Sequence, residues 1–191
     1  MVIPSAGAPT INYDELHRKL QSASSQFQLF HKVANLPFEY KLEMALLFLG
    51  LISLYVADPE EGVVKLAAVS DTEHYRISVQ NYKFDPASFK VPLTDHDNSI
   101  VKAIKQAKAQ STTDWATLSR ANVHPKYSRD NQASSGIAHN TVYPLDVPGG
   151  GAMLFAYYQY QEDMGQPQEE FMGKYSALVS AVLKRRLHEL A

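Results

Sequence analysis

The hydrophobic period of this chain changes from that of a helix to that of a strand near Gly50. Before this point, apolar residues from Tyr13 to Ala34 recur at alternating spacings of three and four, which predicts one helix with a coiled-coil-like seam. A second helix is predicted over residues 38–50. The segments 51–57 and 63–69 are then rich in apolar and β-branched residues and flank a turn with Pro and Gly, which predicts a β-hairpin.

The rest of the chain shows short strands, one short helix and a long final helix. In order, the pattern predicts a strand at 75–79, an extended segment at 89–93, a helix at 100–108 and a strand at 111–115. It then predicts a long loop at 116–132 that can contain a helical turn, strands at 137–145 and 152–160, and a helix from Pro167 onward. We therefore predict an α+β fold. A single antiparallel sheet has the N- and C-terminal helices packed on one face and the loop and short helices over the other.

The length of 191 residues suits one domain with an arm. We divide the chain into a flexible tail (1–11), an N-terminal helix (12–35) and a domain (36–191). Phe27 and Phe30 are large for the outer face of a helix, so the seam favours a homodimer joined by the N- and C-terminal helices. The alternative is that the seam packs on its own domain.

The composition excludes several classes of function. The sequence has no cysteine, which removes disulfides, thiolate metal sites and cysteine nucleophiles. The formal net charge is -2 and no Lys/Arg-rich block occurs, so we expect no nucleic-acid partner. The longest apolar run, Met44 to Ala57, is shorter than the ~20 residues of a membrane span, so we expect no membrane partner. Met1 to Pro9 is not a secretory signal, and the expected location is cytoplasmic.

Three groups of segments carry a resemblance to a known family. They are an opening hairpin (Leu54–Asp58, Val64–Val69), an extended segment with a helix and a strand (Val91–Leu93, Ser99–Ile104, Thr112–Asp114), and a closing hairpin (Ser135–Ile137, Tyr143–Leu145, Gly151–Ala156). In this order and spacing they resemble a GAF domain, a small-molecule sensor module related to PAS domains. The resemblance covers about Phe38 to Leu190.

The resemblance implies a regulatory domain that binds a small planar or anionic metabolite, forms a dimer and signals through its terminal helices. The alternative is a GAF-like module without a ligand that serves in dimerisation or protein interaction. The chain lacks the NKxxFDE signature of the cyclic-nucleotide-binding members. It also lacks the cysteines of the bilin-binding members and of the methionine sulfoxide reductases. The cofactor stays unknown, and whether the chain is complete or excised from a larger sensor stays open.

The candidate ligand site starts from a polar face on a predicted central strand. His139, Thr141 and Tyr143 share that face because side chains alternate along a strand. Polar groups on an inward face indicate a ligand cavity. The alternative is that this face looks outward while Ala138 and Val142 face the core. A haem bound through His139 is a further alternative, which no second feature supports.

The segment around the loop at 116–132 adds the remaining candidates, because by resemblance this loop covers the mouth of the GAF pocket. Trp115 leads into the loop, where an indole can stack on a planar ligand or close the edge of the core. His124, Lys126, Tyr127 and Arg129 make the loop basic and aromatic, which suits an anionic ligand, and the alternative is a solvated loop without a ligand role. Ser134 and Ser135 either turn hydroxyls and amides toward a ligand or form a cap or turn.

No catalytic constellation is evident in the sequence. It contains no G-x-S-x-G elbow, H-E-x-x-H motif or P-loop, so we expect no enzyme activity. The cluster Asp95-His96-Asp97 is the one candidate for a metal or hydrolase site. Adjacent residues cannot all face one ion without an unusual loop, and the N-terminus of a helix explains these carboxylates better.

Overall fold

The structure is a computed structural model that describes residues 10–80, 85–158 and 164–190. Most of the predicted tail at 1–11 and the end of the predicted strand at 152–160 lie outside the described residues. The elements are, in chain order, α1 (Tyr13–Gln21), α2 (Gln26–Asn35), α3 (Lys41–Leu46), β1 (Leu49–Asp58), β2 (Val63–Val69), α4 (Glu73–Gln80), β3 (Lys90–Pro92), α5 (Ser99–Gln106), β4 (Gln110–Thr112), α6 (Ala116–Ser119), α7 (Pro125–Ser135), β5 (His139–Leu145), β6 (Gly151–Tyr157) and α8 (Gln166–Leu190).

The six strands form one antiparallel sheet in the order β3-β2-β1-β6-β5-β4. The long strands β1 and β6 lie at its centre and pair from Leu49 to Val56 of β1. The predicted hairpin of β1 and β2 is present, and Gly62 in its turn has a φ of 67°, which glycine adopts without steric cost. The predicted α+β class is confirmed.

Each face of the sheet is covered by its own helical layer, so the central strands are buried on both sides. On one face, Ile52 and Leu54 of β1 and Phe155 of β6 pack with residues of α1, α2 and α8. On the other face, Leu51 of β1 and Leu154 of β6 pack with residues of α5 and α6. Burial on both faces explains why β1 is apolar along nearly its whole length.

The predicted single helix over 12–35 is wrong, because the chain bends between α1 and α2. The hydroxyl of Ser25 caps α2 by accepting a hydrogen bond from the backbone N–H of Gln28 (3.1 Å). The small polar residues around it favour caps over helix interiors. Leu16 and Leu20 of the predicted seam are 0% exposed, whereas Phe27 is 80% exposed. Most of the seam therefore packs on its own domain.

The predicted strand at 75–79 is also wrong, because these residues belong to α4. Tyr75, Ser78 and Val79 all line one cavity, which is the i, i+3, i+4 spacing of a helix face. Over five residues, Tyr75 and Val79 fit a period of two as well as a helical period. The segment is too short for the period to decide between the two structures.

The predicted loop at 116–132 contains α6 and most of α7. Pro125 begins α7 at a position that suits proline, and Gly136 ends it with a φ of 72°. The buried face of α7 is polar, with Ser128 and Asn131 among its buried residues. This helix therefore has no apolar period for a sequence argument to detect.

The predicted helix over 38–50 is shorter in the structure, where α3 ends at Leu46 and β1 begins at Leu49. Gly50 lies in the strand, and a Cβ at this position would come within 2.6 Å of Cδ1 of Ile137. Among the described residues, no helix combines the length and apolar composition that crossing a bilayer requires.

Candidate functional site

A cavity of about 100 Å³ lies between the sheet and the layer that contains α4 and α6. It is on the face opposite to α1, α2 and α8. Its described wall is mostly aliphatic and aromatic and includes three serines. The wall residues are Leu51, Ser53, Tyr55, Leu66, Val69, Tyr75, Ser78, Val79, Phe89, Trp115, Leu118, Ser119, Val123 and Leu154. A largely apolar pocket with a few polar groups is the usual form of a small-molecule site.

Small and large residues alternate along the face of β6 that lies on the cavity side of the sheet. Leu154 lies in the floor of the cavity, and Ala152 and Ala156 face the same side of the strand. The opposite face of β6 carries Met153 and Phe155, which pack in the helical layer of α1, α2 and α8. Apart from Leu154, the large side chains of β6 thus pack in the layer of α1, α2 and α8.

A β-bulge in β2 adds a residue to the wall. The register of the β1–β2 pairing shifts between Leu54 and Tyr55, which leaves Ala67 as an extra residue in β2. Leu66 and Val69 therefore both line the cavity, although they are three residues apart. Strict alternation would place them on opposite faces of the sheet.

Trp115 forms part of the wall and is held through both its backbone and its ring. Its backbone N–H donates to Oε1 of Gln132 in α7 (2.8 Å), and its indole N–H donates to Oδ1 of Asn140 in β5 (2.8 Å). Asn140 in turn donates to the carbonyl of Thr112 (3.2 Å). With 8% of its surface exposed, Trp115 belongs to the core and lines the cavity at once.

Two ion pairs anchor the segments around the cavity. Asp114, next to Trp115, pairs with Arg129 of α7 (2.8 Å), and Asp95 pairs with Arg120 at the end of α6. Hydrogen bonding to its arginine lowers the pKa of each carboxyl group. Both arginines are thus engaged outside the cavity, whose described wall has no charged side chain. The expected anionic ligand finds no partner there.

The cluster at 95–97 does not form a metal site. Asp95 binds Arg120, and the cap of α5 is Asn98, whose Oδ1 accepts a hydrogen bond from the backbone N–H of Ile100 (2.9 Å). Within the described part of the chain, no group of three histidines or carboxylates is placed to hold a metal ion.

The structure corrects the placement of His139, Thr141 and Tyr143. These residues share one face of β5, but that face meets the helical layer of α8 and not the cavity. His139 lies opposite Tyr157 and Thr141 lies opposite Phe155, and both partners belong to that helical layer. Alternation shows which side chains share a face, whereas the layer that covers the face depends on residues far away in the sequence.

Ser134 and Ser135 end α7 outside the cavity. The hydroxyl of Ser134 donates to the carbonyl of Asp130 (2.8 Å), and that of Ser135 donates to the carbonyl of Gln132 (2.8 Å). These local bonds match the cap or turn that the sequence left open. Of the six predicted site residues, Trp115 is the one that lines the cavity.

The polar groups that do line the cavity are not among the residues predicted from the sequence. Ser53 offered a signal, because it is a small polar residue in the middle of the largely apolar strand β1. Ser78 and Ser119 offered none, since their helices were predicted as a strand and a loop. A polar residue inside a doubly buried strand is therefore the clue that could have located the cavity.

No family model and no curated protein matches this sequence. Solved structures do match the fold. The GAF domain of a phosphoenolpyruvate-protein phosphotransferase from Coxiella burnetii superposes with a TM-score of 0.60 at 13% identity, covering 93% of this chain and 93% of that chain. This chain has the fold of a GAF domain. At such identities the likeness shows the fold alone, and function rests on the site.

Two other structures with the GAF fold differ in what they do. The phycocyanobilin-bound GAF domain of a cyanobacterial phytochrome matches with a TM-score of 0.56 at 15% identity, covering 95% of this chain and 100% of that chain. A free methionine-R-sulfoxide reductase from Neisseria meningitidis, in complex with its substrate, matches with a TM-score of 0.56 at 11% identity, covering 92% and 89%. The fold thus serves both ligand binding and catalysis.

Proposed function

We propose that this GAF domain is a regulatory module that binds a small planar metabolite in the cavity between the sheet and α4 and α6. The observation that carries the proposal is the cavity of about 100 Å³, with the ring of Trp115 held in its wall. The phytochrome domain of the same fold was solved with a bound chromophore, which supports a ligand role for this architecture.

A ligand in the cavity would act on the terminal helices through strand β1, which contacts the cavity on one face and the helices on the other. Leu51 and Tyr55 of β1 line the cavity, whereas Ile52 and Leu54 of the same strand pack with residues of α1, α2 and α8. A ligand that binds one position of β1 better than another shifts the strand toward that position. The helices packed on its other face then shift with it, which is the signalling route that we propose.

The proposed role is binding and not catalysis. The described wall of the cavity offers hydroxyl groups but no histidine, carboxylate or amine that could serve as a general base. A serine nucleophile needs such a base within hydrogen-bond reach. The three wall serines, Ser53, Ser78 and Ser119, therefore suit ligand recognition better than covalent chemistry.

A second candidate function is an interaction module that pairs two copies through the terminal helices. The specific observation is Phe27 at the start of α2, which is 80% exposed although aromatic side chains usually pack. A groove along α8, lined by Gly173, Ala177 and Ala181, gives the same helical layer a surface that another helix can approach closely. Ligand binding and pairing are compatible, because they use opposite faces of the sheet.

The ligand-binding proposal is tested with a metabolite panel and two matched variants. We expect a bound metabolite to raise the melting temperature by mass action and to change the fluorescence of Trp115, the single tryptophan of the chain. Leu154→Phe places extra volume in the cavity floor and should abolish both effects. Leu46→Phe is the control, since Leu46 is 42% exposed on α3. A broad panel without any hit would contradict the proposal.

A further inference from the structure

The chemistry of the cavity wall narrows the class of ligand, an inference that rests on the proposed ligand-binding function. Four aromatic rings contribute to the described wall: Tyr55, Tyr75, Phe89 and Trp115. The rings of Tyr55 and Phe89 lie with their centroids 5.6 Å apart and tilted by 51°. Such a wall makes favourable edge and face contacts with a flat ring.

The wall also disfavours charged ligands. No Lys, Arg, His, Asp or Glu is among its described residues. Burial raises the pKa of the Tyr75 hydroxyl, so this group is neutral in the physiological range as well. A carboxylate or phosphate that entered the cavity would lose its hydration without gaining a cation, which costs more than the apolar contacts return.

The volume of the cavity limits the ligand to about one ring. A cavity of about 150 Å³ lined by apolar side chains is known to accept benzene. The cavity of this chain measures about 100 Å³. Because this volume is smaller than that of the cavity that accepts benzene, a single six-membered ring with a small substituent is the upper limit, whereas a nucleotide or a four-ring pigment is far too large.

The hydrogen bonds of two wall serines indicate the polar group of the ligand. The hydroxyl of Ser78 donates its proton to the carbonyl of Tyr75 (2.7 Å), which leaves only acceptor lone pairs for a ligand. The hydroxyl of Ser119 donates to the carbonyl of Trp115 (3.0 Å) and also lies 2.5 Å from the hydroxyl of Ser128. The hydroxyl oxygen of Ser78 has more lone pairs available than that of Ser119, so we expect the ligand to donate a hydrogen bond to Ser78.

We propose that the ligand is a neutral, one-ring aromatic molecule with a hydroxyl or N–H donor, and that this donor binds the hydroxyl oxygen of Ser78. The ring lies against the aromatic wall that includes Trp115. The donor replaces one water hydrogen bond with one protein hydrogen bond, which adds affinity mainly by avoiding an unpaired polar group. The class is defined by phenol-like chemistry and not by any one metabolite.

The test compares three probes of similar shape on the full chain by isothermal titration calorimetry. We expect phenol and toluene both to bind, with only phenol forming the hydrogen bond to Ser78, and benzoate not to bind because of its charge. Leu154→Phe should remove phenol binding, and Leu46→Phe should leave it unchanged. Since the comparison of probes needs only the wild type, it holds even if the cavity variant fails to fold.

Two serine variants test the donor separately. Ser78→Ala should weaken phenol binding about fivefold through the loss of one hydrogen bond, and should leave toluene binding unchanged. Ser134→Ala is the matched control, because Ser134 is an exposed serine at the end of α7. An equal effect of Ser78→Ala on phenol binding and on toluene binding would overturn the donor assignment.

Two further outcomes separate this inference from the proposed function. If benzoate binds in the cavity as tightly as phenol, or if a larger metabolite binds there while all three probes fail, the ligand class is wrong but the binding function stands. If neither the probes nor any metabolite of the panel binds, the ligand class and the binding function are both overturned.

Discussion

At the scale of single residues, the sheet face covered by α1, α2 and α8 contains buried polar groups that lack a hydrogen-bond partner among the described residues. Nδ1 of His139 and the hydroxyl of Tyr157 are buried opposite each other in β5 and β6, and neither has a hydrogen-bond partner among the described residues. The other ring nitrogen of His139 lies 3.0 Å from the hydroxyl of Thr141. Burial lowers the pKa of His139 from its ordinary value of 6.5.

This shift predicts a loss of stability in mild acid. Well above pH 6.5, His139 is neutral in both the folded and the unfolded chain and has no effect on the pH dependence. As the pH falls below 6.5, the unfolded chain binds a proton that the folded chain does not, so the free energy of unfolding decreases by at most about 1.4 kcal/mol per pH unit. The decrease ends once the pH is below the folded pKa.

The measurement is urea unfolding at several pH values. We expect His139→Gln to flatten the acid limb of the stability curve, because glutamine does not titrate. His96→Gln is the control, since His96 is exposed in the segment before α5. An identical acid limb in the wild type and in His139→Gln would show that burial of His139 does not contribute.

At the scale of elements, α7 shows how a helix can form without an apolar period. Its buried residues include Ser128, Asn131 and Gln132, and the side-chain bonds that connect it to its surroundings include those of Arg129 to Asp114 and of Gln132 to the backbone of Trp115. Its ends are set by Pro125 and by Gly136. The helix therefore depends on its caps and on polar contacts more than on hydrophobic burial.

Two glycine substitutions separate the backbone effect from packing. A Cβ would contact nothing within 4 Å at Gly136 or at Gly173 of α8, but only Gly136 has a positive φ, 72°. Gly136→Ala should lower the free energy of unfolding by ~1 kcal/mol, because an L-residue is strained in that conformation. Gly173→Ala should raise it by ~0.5–1 kcal/mol, because alanine favours the helix interior. Chemical denaturation measures both, and a change of the same sign would contradict this account.

At the scale of the whole molecule, one sheet separates two layers with different tasks. The layer of α1, α2 and α8 is filled by large side chains such as Phe155, Phe171 and Tyr175. The layer of α4 and α6 keeps the cavity. Because residues of β1 and β6 pack in both layers, these strands connect the proposed ligand site with the helices that carry the proposed pairing surface.

The pairing proposal predicts a dimer that depends on Phe27. We expect the wild type to have the mass of a dimer by light scattering, because pairing would bury the ring of Phe27. Phe27→Glu should give a monomer with an unchanged melting temperature, since the side chain is 80% exposed in the single chain. Gln26→Glu, which adds the same charge at the neighbouring exposed position, should remain a dimer. A monomeric wild type across the accessible concentrations would refute pairing.

Local sequence patterns were enough to predict the parts of the fold that depend on residues close together in the sequence. The hairpin of β1 and β2, the helix α5 capped at Asn98 and the closing helix α8 all follow from period, caps and turn residues that are close in sequence. Their order also carried the resemblance to the GAF fold. The hydrophobic period did not predict the correct structure where the segment was short, as in α4, or where the buried face was polar, as in α7.

The position of the cavity and the residues of its wall depend on the tertiary structure. Its wall joins Ser53 of β1, Ser78 of α4, Trp115 and Leu154 of β6, which are distant in sequence and meet only when the sheet has formed. The sequence determined that alternate residues of β5 share a face. Which layer covers that face depends on the paths of helices elsewhere in the chain, because a strand carries no local record of what packs on either side of it.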